Sequence, residues 1–171
     1  MSLIPESLVK LGFVYSGQVV SPTGEVICAF EDHNIIPQVG IDFLAGLIRG
    51  TGAPISSWYV GVGAANYVPS VSTTAADLPG NIGEAQAYSQ ATRPIWQNTY
   101  DGVSAIGNLA AKAEFTFTAA TRLYTGFLSS NSGKGSNSGT LLSIARFASP
   151  YDVPQGSAFT LGVSITLLSA S

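Results

Sequence analysis

Phe159, Leu161, Val163, Ile165 and Leu167 alternate without a break with Thr160, Gly162, Ser164 and Thr166. A side-chain period of two sustained over this span is a strand with one apolar face. Such a face has to be buried against a second layer, so the chain must contain at least one further sheet or a helix to cover it. Ala113-Glu114-Phe115-Thr116-Phe117-Thr118 alternates in the same way, with its Phe residues on one side and Glu and Thr on the other. The two segments are expected to lie antiparallel in a two-sheet sandwich, with Phe115, Phe117, Leu161, Val163 and Ile165 in one core.

Shorter strand signals fill in the rest. Gly12 to Val20 and Glu25 to Phe30 flank Ser21-Pro22-Thr23-Gly24, a proline-containing turn that closes on glycine, and read as a hairpin. Trp58-Tyr59-Val60-Gly61-Val62 reads as a buried strand, and Arg93 to Trp96 as a further strand that Pro94 limits to a sheet edge or a strand start. Leu123 to Leu128 follows Thr118 after a short turn and is expected to pair antiparallel with it. Leu141 to Phe147 resumes as strand. One helix is expected between Pro37 and Gly50, where Ile41, Leu44, Leu47 and Ile48 share a face at helical spacing, to be buried against a sheet. Two long connections stand out. Ala64 to Gly83 is rich in Pro, Ser, Thr and Gly, as functional or disordered loops are, and Ser129 to Thr140 reads as a flexible surface loop of Ser, Asn and Gly. The expected fold is mainly β: an antiparallel β-sandwich or barrel with one amphipathic helix. Residues 1–30 read as an N-terminal arm and hairpin, and residues 31–171 as the sandwich.

Charge narrows the function classes. Only 10% of the residues are Asp, Glu, Lys or Arg, against roughly 25% in an average soluble domain. Either uncharged polar residues cover the surface, or much of that surface is hidden against partners. The seven Lys and Arg residues are scattered singly and the net charge is −3, which gives no footprint for nucleic acid. No run is long enough to span a bilayer. No basic region precedes a long apolar stretch at the N-terminus, so no signal peptide is expected and the chain is expected to be made in the cytoplasm. Cys28 stands in the apolar run Val26–Phe30 and reads as a small core hydrophobe.

Catalytic constellations are not legible. His33 follows Asp32, but neighbours in an extended segment point to opposite faces. A single His and a single Cys do not make a common zinc site. Gly61-Val62-Gly63-Ala64-Ala65-Asn66 lacks the third glycine and the helix of a dinucleotide loop, and Gly133-Lys134 lacks the spacing of a P-loop. The reading is a non-enzymatic chain without catalytic residues, cofactor or metal. Glu84 and Arg93 stand apart as charges flanking Tyr88 in a charge-poor chain, and are expected to form a structural salt bridge that fixes a loop.

The order of these segments resembles a group of tailed-bacteriophage head decoration (cement) proteins. The likeness begins near Asn34 with Gly40-Ile41-Asp42-Phe43-Leu44. It continues through Trp58-Tyr59-Val60-Gly61, the loop to Leu78, Glu84 and Tyr88, and Ala91-Thr92-Arg93-Pro94. Ala113–Thr118, Gly126-Phe127-Leu128, Ser132-Gly133-Lys134-Gly135, Gly139-Thr140-Leu141-Leu142, Phe147 and the closing strand complete it. Part of the pattern is also similar to tail-fibre and baseplate proteins. The resemblance implies a jelly-roll-like β-sandwich seated on the capsid exterior, a structural virion protein that bridges neighbouring copies of the phage major capsid protein. A homo-oligomer, dimer or trimer, is expected because repeated shell sites sit at symmetry axes. Residues before Phe30 fall outside it. There Leu3, Ile4, Leu8, Val9 and Leu11 form an apolar segment expected to dock on the capsid or a sister copy. The alternatives are a tail or fibre component, or a carbohydrate-binding module stacking sugars on Trp58, Tyr59 or Trp96.

Overall fold

A computed structural model describes residues 12–167. The apolar segment with Leu3, Ile4, Leu8, Val9 and Leu11 lies outside the described residues. In chain order the elements are β1 (Phe13–Val20), β2 (Val26–His33), α1 (Gln38–Ile48), β3 (Tyr59–Gly63), a short 3-10 turn (Ala75–Asp77), β4 (Thr99–Tyr100), β5 (Ala105–Gly107), β6 (Ala113–Thr116), β7 (Thr121–Ser129), β8 (Leu141–Val153) and β9 (Ala158–Thr166).

These strands form two antiparallel sheets packed as a sandwich. The larger runs β2-β1-β9-β5-β4, and β6 also pairs with β9. β9, the strand with the longest alternation, is its centre. One edge of β9 pairs with β1 from Phe13↔Ile165 to Val20↔Ala158. The other edge is shared end to end: β5 takes Ser164–Thr166 and β6 takes Ala158–Leu161. The hairpin of β1 and β2 is therefore built into this sheet, and Tyr15 and Val19 of β1 are core residues. Its turn is closed by Gly24, whose φ of 87° suits glycine. The smaller sheet runs β3-β7-β8.

Between the sheets, Phe115, Phe117, Leu161, Val163 and Ile165 are all buried in one cluster with Tyr15, Leu123, Leu128 and Phe147. The expected antiparallel pairing of the two alternating segments is present, with Phe115 opposite Phe159. The expected pairing of Ala113–Thr118 with Leu123–Leu128 is not. β6 belongs to the larger sheet and β7 to the smaller, because both edges of β7 are already filled by β3 and β8. After Phe117, which exchanges backbone hydrogen bonds with Ser157 and Gly156, the chain crosses from one sheet to the other.

The smaller sheet is buried on both faces: Gly126–Ser129 of β7 and Leu141–Ala145 of β8 are covered throughout. The cover on its outer face is the loop 64–83. Leu78 and Ile82 from that loop pack with Phe127, Leu141 and Ile144 in a second apolar cluster. The 3-10 turn is fixed by a capping box in which the Asp77 carboxylate accepts the Thr74 backbone N–H at 2.8 Å. A segment that reads as an open loop is thus a third layer. Its Ser, Thr and Pro residues shape the backbone while a few apolar residues do the packing.

The helix also departs from expectation. Pro37 stands at its N-cap, and Gly50, with φ of 68°, lies just past its end. It packs along β8, with Gly40 against Leu142 and Val39 against the cluster of Leu141 and Ile144, while Phe43 meets the Trp58 ring edge-on at 5.1 Å. A Cβ at Gly40 would run into the Leu142 carbonyl, so glycine permits the close approach. The face carrying Ile41, Leu47 and Ile48 is not buried, and Ile48 is 89% exposed. Apolar residues ring most of this helix, and one sheet edge covers only part of the circumference.

Candidate functional site

Two places in the fold go beyond ordinary core packing. The first is a buried ion pair. Glu84 follows Gly83, whose φ of 58° turns the chain so that Glu84 bridges Gly63 at the end of β3. Arg93 is held by its backbone N–H donating to the Ser132 carbonyl at 2.8 Å, next to the edge segment in which Ile95 pairs with Tyr59. The structure brings the two side chains together in a bidentate pair. Arg93 Nε donates to Glu84 Oε1 at 2.7 Å and Nη2 to Oε2 at 2.6 Å. Arg93 is 1% exposed and Glu84 7%.

The remaining hydrogen-bonding capacity of the pair is spent on the loop 130–140. Arg93 Nη1 donates to the Asn131 carbonyl at 2.8 Å and Nη2 to the Ser136 carbonyl at 3.0 Å. The Gly135 N–H donates to Glu84 Oε2 at 2.8 Å. The guanidinium also faces the Phe127 ring, 5.3 Å from its centroid. Further bonds within the loop run from Gly133 N–H to Asn131 Oδ1 and from Thr140 N–H to Ser130 Oγ. The stretch that reads as a flexible surface loop is therefore hydrogen-bonded onto a buried charge pair. Lys134 completes the arrangement, its ammonium 3.8 Å from the Tyr88 ring centroid and donating to the Tyr88 carbonyl at 2.7 Å. Burial lowers the Lys134 pKa. Burial, followed by the neighbouring Glu84 charge, raises that of Tyr88.

Chemically this centre is a clamp. Both Glu84 oxygens accept from Arg93, one accepts a backbone N–H besides, and solvent does not reach them. A carboxylate that accepts three hydrogen bonds within the fold and is shut off from solvent is closed to an outside molecule. The clamp ties the segments around residues 84, 93 and 129–136 to one another.

The other residues singled out by sequence are dispersed. Asp32 is buried and accepts the Ala148 N–H from β8 at 3.1 Å, while His33 is exposed; they make no side-chain pair. Burial raises the Asp32 pKa. Gly61 and Gly63 belong to β3, and a Cβ at Gly61 would collide with the ring of Phe127, its cross-strand partner. Trp58 and Trp96 are buried, and Trp96 Nε1 donates to the Val163 carbonyl at 2.9 Å. Among the described residues no group of three or more His, Cys, Asp and Glu side chains is placed to hold a metal ion. No helix among them is long and apolar enough to cross a membrane.

The second place is an apolar cleft of about 540 Å³ at one end of the sandwich, between α1 and the ends of β1 and β9. Phe13, Leu44, Leu47, Trp58, Ile106 and Ile165 line it, and among the described residues Ser56 and Asn98 are its only polar side chains. Sequence reading did not anticipate it. The available signal was the width of the apolar stripe on α1: Val39 and Gly40 meet β8, and Phe43, Leu44, Leu47 and Ile48 are left to face the cleft. Comparison with protein-family models, with curated proteins and with solved structures finds no match.

Proposed function

We propose that this chain is a structural protein of a phage particle, a decoration protein that binds the outside of the capsid in many copies and bridges neighbouring subunits. The observation that carries the reading is a folded β-sandwich with very few charges whose exposed surface keeps large apolar side chains. Val68 and Val71, on the loop that covers the smaller sheet, are 68% and 63% exposed. Val26 and Ile27, at the start of β2, are exposed as well. A surface of this kind suits permanent contact, in which apolar area is covered and few charges are desolvated. A protein that gains binding energy only on the assembled shell stabilises that state by mass action. The buried charge pair, which ties the loop 130–140 to the sandwich, supports a rigid module. The carbohydrate-binding alternative keeps one of its three candidate platforms: Trp58 and Trp96 are core residues, while Tyr59 is half-buried.

The test is addition of purified protein to undecorated capsids, with occupancy read by cryo-electron microscopy. Symmetric, saturable occupancy is expected, and Val68→Asp should reduce it if the loop 64–83 meets the shell. Binding to tails or fibres and not to heads would replace this reading with the tail-component one. Binding to neither would remove the particle assignment.

A further inference from the structure

The two sheets are stitched together where β2 leaves the larger one. Past His33 the chain runs on to Ile35, which exchanges backbone hydrogen bonds with Ile144 of β8 at 2.9 and 3.1 Å. Asn34 lies between, its Oδ1 accepting the Phe13 N–H at 2.6 Å and its Nδ2 donating to Ser143 Oγ at 2.7 Å. Asp32 makes the third stitch. Its Oδ1 accepts the Ala148 N–H of β8 at 3.1 Å, across from one sheet to the other. Its Oδ2 is buried as well and has no hydrogen-bond partner among the described residues. Aromatic rings close the seam beside it. Phe30, on the same face of β2, stacks on Tyr151 with centroids 4.1 Å apart and lies 4.8 Å from Phe147.

The surroundings of Asp32 offer no compensating cation. Neither ion pair among the described residues involves it. Tyr15, its cross-strand neighbour on β1, shares its hydroxyl with Ser143. On β8, Tyr151 carries a phenol whose pKa is raised by burial first and by the Asp32 and Cys28 charges after it. Arg146 of the same strand donates to the Tyr67 carbonyl instead. Glu31 and His33 are exposed on the opposite face of β2. Burial acts most strongly on the Asp32 carboxyl and raises its pKa, and the Ala148 N–H and then the His33 charge offset this in part. A carboxylate placed here gives up hydration without gaining a counter-ion. Opening the seam returns that hydration.

We propose that Asp32 makes the seam between β2 and β8 a proton-controlled clasp, closed most tightly when the carboxyl is neutral and opening ahead of the rest of the sandwich when it is ionised. The clasp is at full strength below the ordinary Asp pKa, about 3.9. It weakens as pH rises from there through the higher folded value, and stays weak above it.

The test is amide hydrogen exchange by NMR on the full-length protein, with each rate divided by its intrinsic rate at that pH. At neutral pH the Ile35, Ile144 and Ala148 amides should be less protected than that of Val163 in β9, because they exchange through a local opening. Asp32→Asn keeps the Oδ1 acceptor and removes the charge. It should raise protection of the three seam amides severalfold at neutral pH, and the gain should vanish below the Asp range. Asp32→Thr, a second uncharged residue suited to a strand, should act in the same direction where the Asn amide does not fit. His33→Gln should exchange as the native chain does at neutral pH. Seam amides as protected as that of Val163 overturn the proposal. So does equal or faster exchange in both Asp32 variants, or a His33→Gln profile that matches Asp32→Asn.

Discussion

Replacing Arg93 with methionine keeps much of the length of its stem and deletes every hydrogen bond its guanidinium makes. Glu84 is left as a carboxylate shielded from water, with one remaining donor, the Gly135 N–H. The carbonyls of Asn131 and Ser136 lose their Arg93 donors. Removing one partner of a buried pair costs about 3–5 kcal/mol, mostly for the charge left behind. In a domain of this size each kcal/mol lowers the melting temperature by roughly 2–4 °C. The expected fall is therefore roughly 6–20 °C, measured by scanning calorimetry. The double replacement Arg93→Met with Glu84→Leu removes the orphaned charge and should recover part of that loss. Recovery should stop short of the native value because the two loop carbonyls still lack their donor. Asp152→Asn serves as the control. The Arg122–Asp152 pair is also bidentate, at 2.7 and 2.8 Å, but exposed, and its loss should leave the melting temperature unchanged. If Arg93→Met costs no more than about 1 kcal/mol, the range of exposed pairs, the pair does not organise these loops and the clamp argument is wrong.

Two further outcomes follow from the packing and the capping. Phe117→Ala empties a fully buried site between the sheets and should cost about 3–5 kcal/mol in chemical denaturation; a loss under 1 kcal/mol would mean that the core collapses around the site. The Asp77 carboxyl is held below its ordinary pKa, first by the Thr74 backbone N–H and also by Asn81 and the Thr74 hydroxyl. A carboxyl whose pKa is lower folded than unfolded adds stability above the unfolded value, about 3.9 for Asp, and loses it as pH falls through the folded value. Asp77→Asn should therefore melt below the native protein at neutral pH and converge with it on the acid side of the Asp range. Parallel melting curves at every pH would refute that role.

Legibility followed the range of the forces involved. β9 and β6 were readable because a period of two is written into consecutive residues and the buried face follows from it. The hairpin and the limits of α1 were readable because proline and glycine act on their own φ angles. The partner of β7 was not. Nearness in sequence favours β6, but strand pairing is settled by which edges are already occupied, and β3 and β8 come from residues 59–63 and 141–153. The role of the loop 64–83 was hidden for a related reason. Its composition is that of an open loop, and only the outer face of the smaller sheet gives Leu78 and Ile82 something to cover.

The sequence by itself determined that this chain is a β-sandwich with one helix and few charges, because alternation, turn residues and composition are local properties. It also singled out Glu84 and Arg93, since isolated charges among apolar residues must be paired if they are buried. Only the tertiary structure decided that the pair reaches across to the loop 130–140, that the helix turns Gly40 rather than Ile41 to the sheet, and that both ends of the described fold meet at one apolar cleft. Each of these depends on contacts between segments far apart in the chain. Such contacts are set by which surfaces remain uncovered after the strands have paired, and no local pattern encodes that remainder.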